Sequence, residues 1–151
     1  MKRLMSSLLL LFALFAIVPL TNAESAEIEY LPDGSYYITE IRYEPQLGVI
    51  SRSNTKTFTK SSSYYNSNGI IQWTMVLHGS FTYDGVTSTC TDSWVTYSIS
   101  NNSWHYSSSS ASKSGNTASG SLTMIRVVAG ITVDTKTKSL TLSCDKDGNP
   151  S

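Results

Sequence analysis

His78 and His105 are the only imidazoles in this chain, and general acid–base work near neutral pH would have to start from one of them. A small hydrolase would gather His78 or His105 with an acid such as Asp92 or Asp134. Neither histidine stands in a pattern that supplies such a partner. The chain has no Gly-x-Ser-x-Gly elbow, no His-Glu-x-x-His and no phosphate-binding glycine loop. After Ala23 there are 25 Ser and 16 Thr, so a hydroxyl beside a histidine carries no information. Each histidine reads more simply as a strand residue.

Cys90 and Cys144 are the only cysteines, with 53 residues between them. In an exported chain an even pair is most simply a disulfide, and closing such a loop contributes about 4 kcal/mol in the chain-entropy view. A buried reduced pair, a metal site and a catalytic thiol are the alternatives. A zinc site wants closely spaced ligand pairs, and neither cysteine has Cys or His within four residues. Asp145-Lys146-Asp147-Gly148-Asn149 hints at a calcium loop. Its glycine stands at position four, where an EF-hand needs it at six. A polar terminal turn is the better reading, and no metal or cofactor is expected.

The aromatic residues offer the remaining chemistry. Exposed Trp and Tyr on a pleated face stack on sugar rings through their apolar faces. Trp73 shares the apolar parity of Ile71 and Leu77 and reads as core. Trp94 has Thr96 and Ser98 on its parity, Trp104 begins a Ser-rich stretch, and Tyr64-Tyr65 places one ring on each side of its sheet. Trp94, Trp104, Tyr64 and Tyr65 are therefore the candidate ligand contacts, weighed against packing or edge cover.

The elements that position these residues follow an export signal. Lys2 and Arg3 precede an apolar run from Leu8 to Val18, Pro19 breaks it, and Thr21-Asn22-Ala23 suits signal peptidase. Cleavage after Ala23 leaves 128 residues, one domain's worth, with nine basic and eleven acidic side chains. That balance disfavours nucleic acid and anionic membrane surfaces. No stable membrane insertion is expected, and the protein is read as secreted.

Residues 24–50 form an acidic lead-in, with Pro32-Asp33-Gly34 as a turn and Tyr36–Tyr43 as a strand. It is either an edge strand packed on the body or a partly mobile arm. Residues 51–144 form the body and 145–151 a polar tail. Thr55–Tyr65 is β-prone. Ile71, Trp73, Met75, Leu77, Phe81 and Tyr83 then alternate on one face, interrupted only by Gly79, which marks a bulge or a close approach. Asp84-Gly85 reads as a two-residue hairpin turn. Val95, Tyr97 and Ile99 alternate on the return, and a bulge near Asp92-Ser93 would bring Cys90 into the same core. Trp104–Lys113, Ala118–Val128 and Ile131–Cys144 complete the set, split at Ser114-Gly115-Asn116 and Ala129-Gly130. The expected fold is all-β, a single antiparallel β-sandwich of about seven strands.

The succession Tyr64-Tyr65-Asn66-Ser67-Asn68-Gly69, Trp73, Gly79-Ser80-Phe81-Thr82-Tyr83-Asp84-Gly85, Thr89-Cys90-Thr91, Trp104 and Lys113-Ser114-Gly115-Asn116-Thr117 resembles a group of small secreted β-domain proteins of Gram-positive bacteria. Gly130-Ile131-Thr132-Val133 and Leu140-Thr141-Leu142-Ser143-Cys144 are similar to it too. The likeness covers roughly residues 52–144. The group has no assigned activity, so the resemblance implies an exported β domain with paired cysteines and transfers no catalytic or binding residue.

Three functions compete on these readings. The first is a non-catalytic binding or interaction module for an extracellular or cell-surface glycan or protein, with carbohydrate the ligand to test first. The second is a bacteriocin-like or membrane-active toxin, with Ile71–Tyr83 as the inserting span. The third is the small hydrolase.

Overall fold

A computed structural model describes residues 26–44 and 54–151; the proposed leader lies outside them. Eight strands follow one another as a meander: β1 (Glu27–Tyr30), β2 (Tyr36–Glu44), β3 (Thr55–Tyr65), β4 (Ile71–Tyr83), β5 (Ser88–Ile99), β6 (Trp104–Ser114), β7 (Thr117–Val128) and β8 (Ile131–Ser143). The first five form one antiparallel sheet and the last three another, each in sequence order. The two sheets pack face to face as a β-sandwich. The eighth strand, absent from the sequence reading, is β1. All four of its residues are exposed, so no burial alternation announces it. It exists because β2 offers it four paired positions.

Period-two alternation builds the core. Trp73, Met75, Leu77 and Phe81 from β4 meet Leu122 and Met124 from β7 and Leu142 from β8, all fully buried. Burying each such side chain stabilises by roughly 1.5–3 kcal/mol. Two glycines allow the sheets to approach. A Cβ at Gly79 would stand 2.6 Å from Phe81 Cε2 and 3.2 Å from Ala118 Cβ, and one at Gly120 would stand 2.6 Å from Val95 Cγ2. Gly79 is thus a close-approach position, while the bulge falls farther along.

That bulge is in β5. Ser80 pairs with Asp92 and Phe81 with Cys90, leaving Thr91 as the extra residue. The slip turns Cys90 inward beside Phe81. The turn before it differs from expectation, since four residues, Asp84 to Thr87, join the strands. The Asp84 carboxylate accepts the Val86 and Thr87 backbone N–H groups at 2.9 and 2.7 Å and so holds the longer turn.

Side chains bridge both open seams between the sheets. Lys136 of β8 reaches Asp33 at 3.2 Å, Lys138 pairs with Glu29, and the Lys138 ammonium lies 4.5 Å from the Tyr37 ring centroid. At the other seam Tyr97 stacks on Tyr106, with centroids 5.1 Å apart. The described part of the lead-in, residues 26–44, therefore joins the body through β1 and β2. The tail folds back as well: Ser143 and Ser151 exchange two backbone hydrogen bonds of 2.9 Å.

Candidate functional site

The outer face of the five-stranded sheet collects aromatic, hydroxyl and paired charged groups in four rows. Tyr30, Tyr36 and Tyr65 make the first row by register. Tyr30 and Tyr36 lie 5.6 Å apart at 47°, and Tyr36 stacks on Tyr65 at 5.0 Å and 6°. Ile28, Ile38, Ser63 and Thr74 form the second row, in which the Ser63 and Thr74 hydroxyls share a 2.9 Å hydrogen bond. Glu40, Ser61, Val76 and Thr96 form the third. Arg42, Thr59, His78 and Trp94 form the fourth.

A shallow cavity of about 380 Å³ runs between these rows, walled by Tyr65, Ile38, Ser63, Thr74, Glu40 and Arg42. The ion pair on its wall, Arg42 Nη2 donating to Glu40 Oε2 at 2.6 Å, is exposed. At the far end the His78 imidazole and Trp94 indole stack at 4.7 Å and 8°, and His78 Nε2 shares a 2.8 Å hydrogen bond with Thr96 Oγ1. A stacked ring pair stands at each end, each ring covering one face of its partner, and the ring surface left over, with hydroxyls between the ends, suits a polyhydroxylated ligand.

Two of the four candidate contacts are on this face. Trp94 is 37% exposed and Tyr65 is half-buried. The other two are withdrawn into the core: Trp104 is 2% and Tyr64 4% exposed. Their rings meet edge-on at 5.5 Å, and Trp104 also meets Trp73 at 6.2 Å. The Trp104 indole N–H donates to Gln72 Oε1 at 3.3 Å, and the same oxygen accepts Asn101 Nδ2 at 2.7 Å. Trp104 thus closes the corner between the sheets, where a ligand cannot reach it. Tyr30, Tyr36, Glu40 and Arg42 were missed as contacts. Only strand register brings them beside Tyr65, and no local motif carries that information.

The cysteines depart from the expected bridge. Cys90 N–H donates to Gly115 O at 2.8 Å and Cys144 N–H to Asn116 O at 3.1 Å, so both border the turn between β6 and β7. Their sulfurs are nonetheless unbonded. The Cys90 thiol turns to Asp92 O at 3.3 Å and the Cys144 thiol to Asp145 O at 3.5 Å, each toward a carbonyl of its own segment. Burial pushes both thiols above their ordinary range.

Of the hydrolase pairings, His78 and Asp92 share the outer face of the five-stranded sheet in adjoining rows, whereas His105 and Asp134 fall on opposite parities of the other sheet. His78 faces outward on one sheet, and His105, in register with Ile125 and Thr135, stands on the other. Asp134 lies 3.6 Å from Lys136. Asp145 closes its own terminal turn, accepting the Asn149 and Asp147 backbone N–H groups at 2.8 and 2.9 Å and the Asn149 amide at 2.9 Å. Those contacts, the Asn149 N–H first, hold its carboxyl below the usual carboxylate range. Among the described residues no group of three or more His, Cys, Asp or Glu side chains could hold a metal ion.

Two other surfaces lack the stacking faces. A cavity of about 520 Å³ at the sheet edge is walled by Glu27, Thr39, Ile41, Lys60 and Pro150, without an aromatic ring. The outer face of the three-stranded sheet is an array of hydroxyls without charge. Its rows are Ser108–Thr123–Thr137, Ser110–Ser121–Ser139, Ser112–Ser119–Thr141 and Ser114–Thr117–Ser143. Cross-strand pairs satisfy part of it, at 2.9 Å for Ser110–Ser121, Thr123–Thr137 and Thr117–Ser143.

Among the described residues no helix is long and apolar enough to cross a membrane. No family model, no curated protein and no solved structure matches this chain.

Proposed function

We propose that this protein is an exported, non-catalytic binding module for carbohydrate, working at the cell surface or in the medium. The observation that supports it most is the tyrosine row Tyr30–Tyr36–Tyr65, whose Tyr65 lines a cavity that also presents the Ser61, Ser63 and Thr74 hydroxyls. Aromatic faces stack on the apolar side of a sugar, and neighbouring hydroxyls exchange hydrogen bonds with its edge. The cavity lies within the usual size range of ligand sites, roughly 300–1,000 Å³.

The membrane-active alternative has less behind it. Ile71–Tyr83 is an interior strand of a meander, paired with β3 on one side and β5 on the other. Insertion would have to break both ladders and expose Trp73, Met75 and Leu77. A glycan array followed by tryptophan fluorescence titration tests the carbohydrate reading. Trp94 stands on the proposed face, so binding is expected to shift its emission. Absence of binding across polysaccharides and peptidoglycan would remove the proposal.

A further inference from the structure

We infer that the ligand is one extended, uncharged glycan chain lying along the strands, gripped by a stacked aromatic pair at each end of the five-stranded sheet. This rests on the carbohydrate reading and specifies it. Tyr36 and Arg42 are six residues apart on β2, and Arg42 shares its row with His78 and Trp94. At 3.3–3.4 Å per residue, the two aromatic ends stand about 20 Å apart along the strands, room for about four pyranose units.

The groups between the ends set the chemistry. Glu40 and Arg42 neutralise each other at 2.6 Å, and both remain exposed enough to exchange charge-assisted hydrogen bonds with sugar hydroxyls. Ser61, Ser63 and Thr74 add neutral donors and acceptors. By register the row beyond Trp94 is Glu44, Thr57, Ser80 and Asp92, two of them acidic and none basic. Among the described residues the face therefore offers no surplus cation to a uronate, sulfate or phosphate, and its far end repels one. A single short sugar would reach one aromatic end; a longer chain reaches both.

Isothermal titration of the full chain with cello-, xylo- and chito-oligosaccharides of two to six units tests this, with oligogalacturonates as the anionic comparison. Affinity for at least one neutral series is expected to climb to about four or five units and then level. Tyr36→Ala and Trp94→Ala are each expected to weaken binding of the longer oligomers about tenfold, or about 1.4 kcal/mol. Tyr36→Phe and Trp94→Phe keep the ring faces and are expected to retain most of the affinity. Tyr30→Ala carries the same test if Tyr36→Ala fails to fold, because the Tyr30 ring is 72% exposed. Ser121→Glu, on the opposite sheet, is expected to change nothing.

Equal affinity for two and six units, loss at one end only, or preference for the oligogalacturonates would overturn the extended-chain inference and leave a carbohydrate module. Loss of binding in Ser121→Glu with retention in Trp94→Ala would move the site to the hydroxyl array and overturn it too. Failure of every sugar to bind would overturn the carbohydrate reading itself.

Discussion

The imidazole of His78 lies flat on the indole of Trp94, 4.7 Å between centroids and 8° from parallel, while its Nε2 is tied to Thr96 at 2.8 Å. The pair turns two adjacent strands into one exposed ring surface. It is also the only place where a tryptophan of the described residues meets solvent, since Trp73 and Trp104 are core.

Collisional quenching should therefore report on one indole. Acrylamide is expected to quench the Trp94 fraction of the emission readily and the rest weakly, and Trp94→Phe should abolish the readily quenched fraction. His78→Ala should leave the fold intact and make Trp94 more quenchable, because one face of its ring is uncovered. Steady-state fluorescence with and without acrylamide checks both. Three equally quenchable indoles would contradict the packing.

Gly120→Ala should destabilise the sandwich by about 1–3 kcal/mol through overpacking. The added Cβ would stand 2.6 Å from Val95 Cγ2, 2.9 Å from Leu77 Cδ1 and 3.3 Å from the backbone oxygen of Ser110. Two of these neighbours belong to the opposite sheet, so relief requires the sheets to part. Urea midpoints of variant and parent measure it, and an unchanged midpoint would show that the spacing is not tight there.

Acid should erode stability between about pH 4 and about pH 2. The Ser35 hydroxyl, then the Ser35 N–H and Lys136, pull the Asp33 carboxyl from 3.8 down to about 2. Backbone N–H groups of Thr87 and Val86 lower Asp84, and Asn149 lowers Asp145. A carboxyl whose folded value lies below its unfolded one stabilises above the unfolded value and stops doing so as pH falls through the folded one. Urea midpoints across this range should fall with pH, and Asp33→Ala should flatten part of the slope.

Both thiols should be unreactive until the chain opens. The thiolate is the nucleophile, and burial raises both groups, which lowers the thiolate fraction at mildly alkaline pH. Alkylation followed by mass spectrometry is expected to add two groups in denaturant without reductant and essentially none in native buffer. Zero groups in denaturant without reductant would show a bonded pair and different cysteine rotamers.

Much of the fold was legible because alternation is local. The parity of β4 put Ile71, Trp73, Met75, Leu77, Phe81 and Tyr83 on one face; the middle four are core, whereas Tyr83 is half-buried and so is Ile71, which a register shift pairs with the outward Tyr65. The need to turn Cys90 inward placed an irregularity near Asp92, and the extra residue is Thr91. β1 escaped because an all-exposed strand has no buried face to reveal it. The candidate site was legible in part. Trp94 stood on a polar parity and is exposed, whereas Trp104 opens an otherwise exposed strand and is buried. Its burial comes from the corner it shares with Gln72 and Asn101.

By itself the sequence determined an all-β chain whose strands alternate, whose turns fall at Asn, Asp and Gly, and whose outer surfaces are rich in hydroxyls. These are properties of neighbouring residues. Only the tertiary structure decided which member of each tyrosine pair, Tyr36-Tyr37 and Tyr64-Tyr65, faces out. Alternation guarantees that one ring goes to each side, but the covered side depends on where the second sheet packs. That choice sends Tyr37 and Tyr64 to the core and leaves Tyr36 and Tyr65 stacked outside.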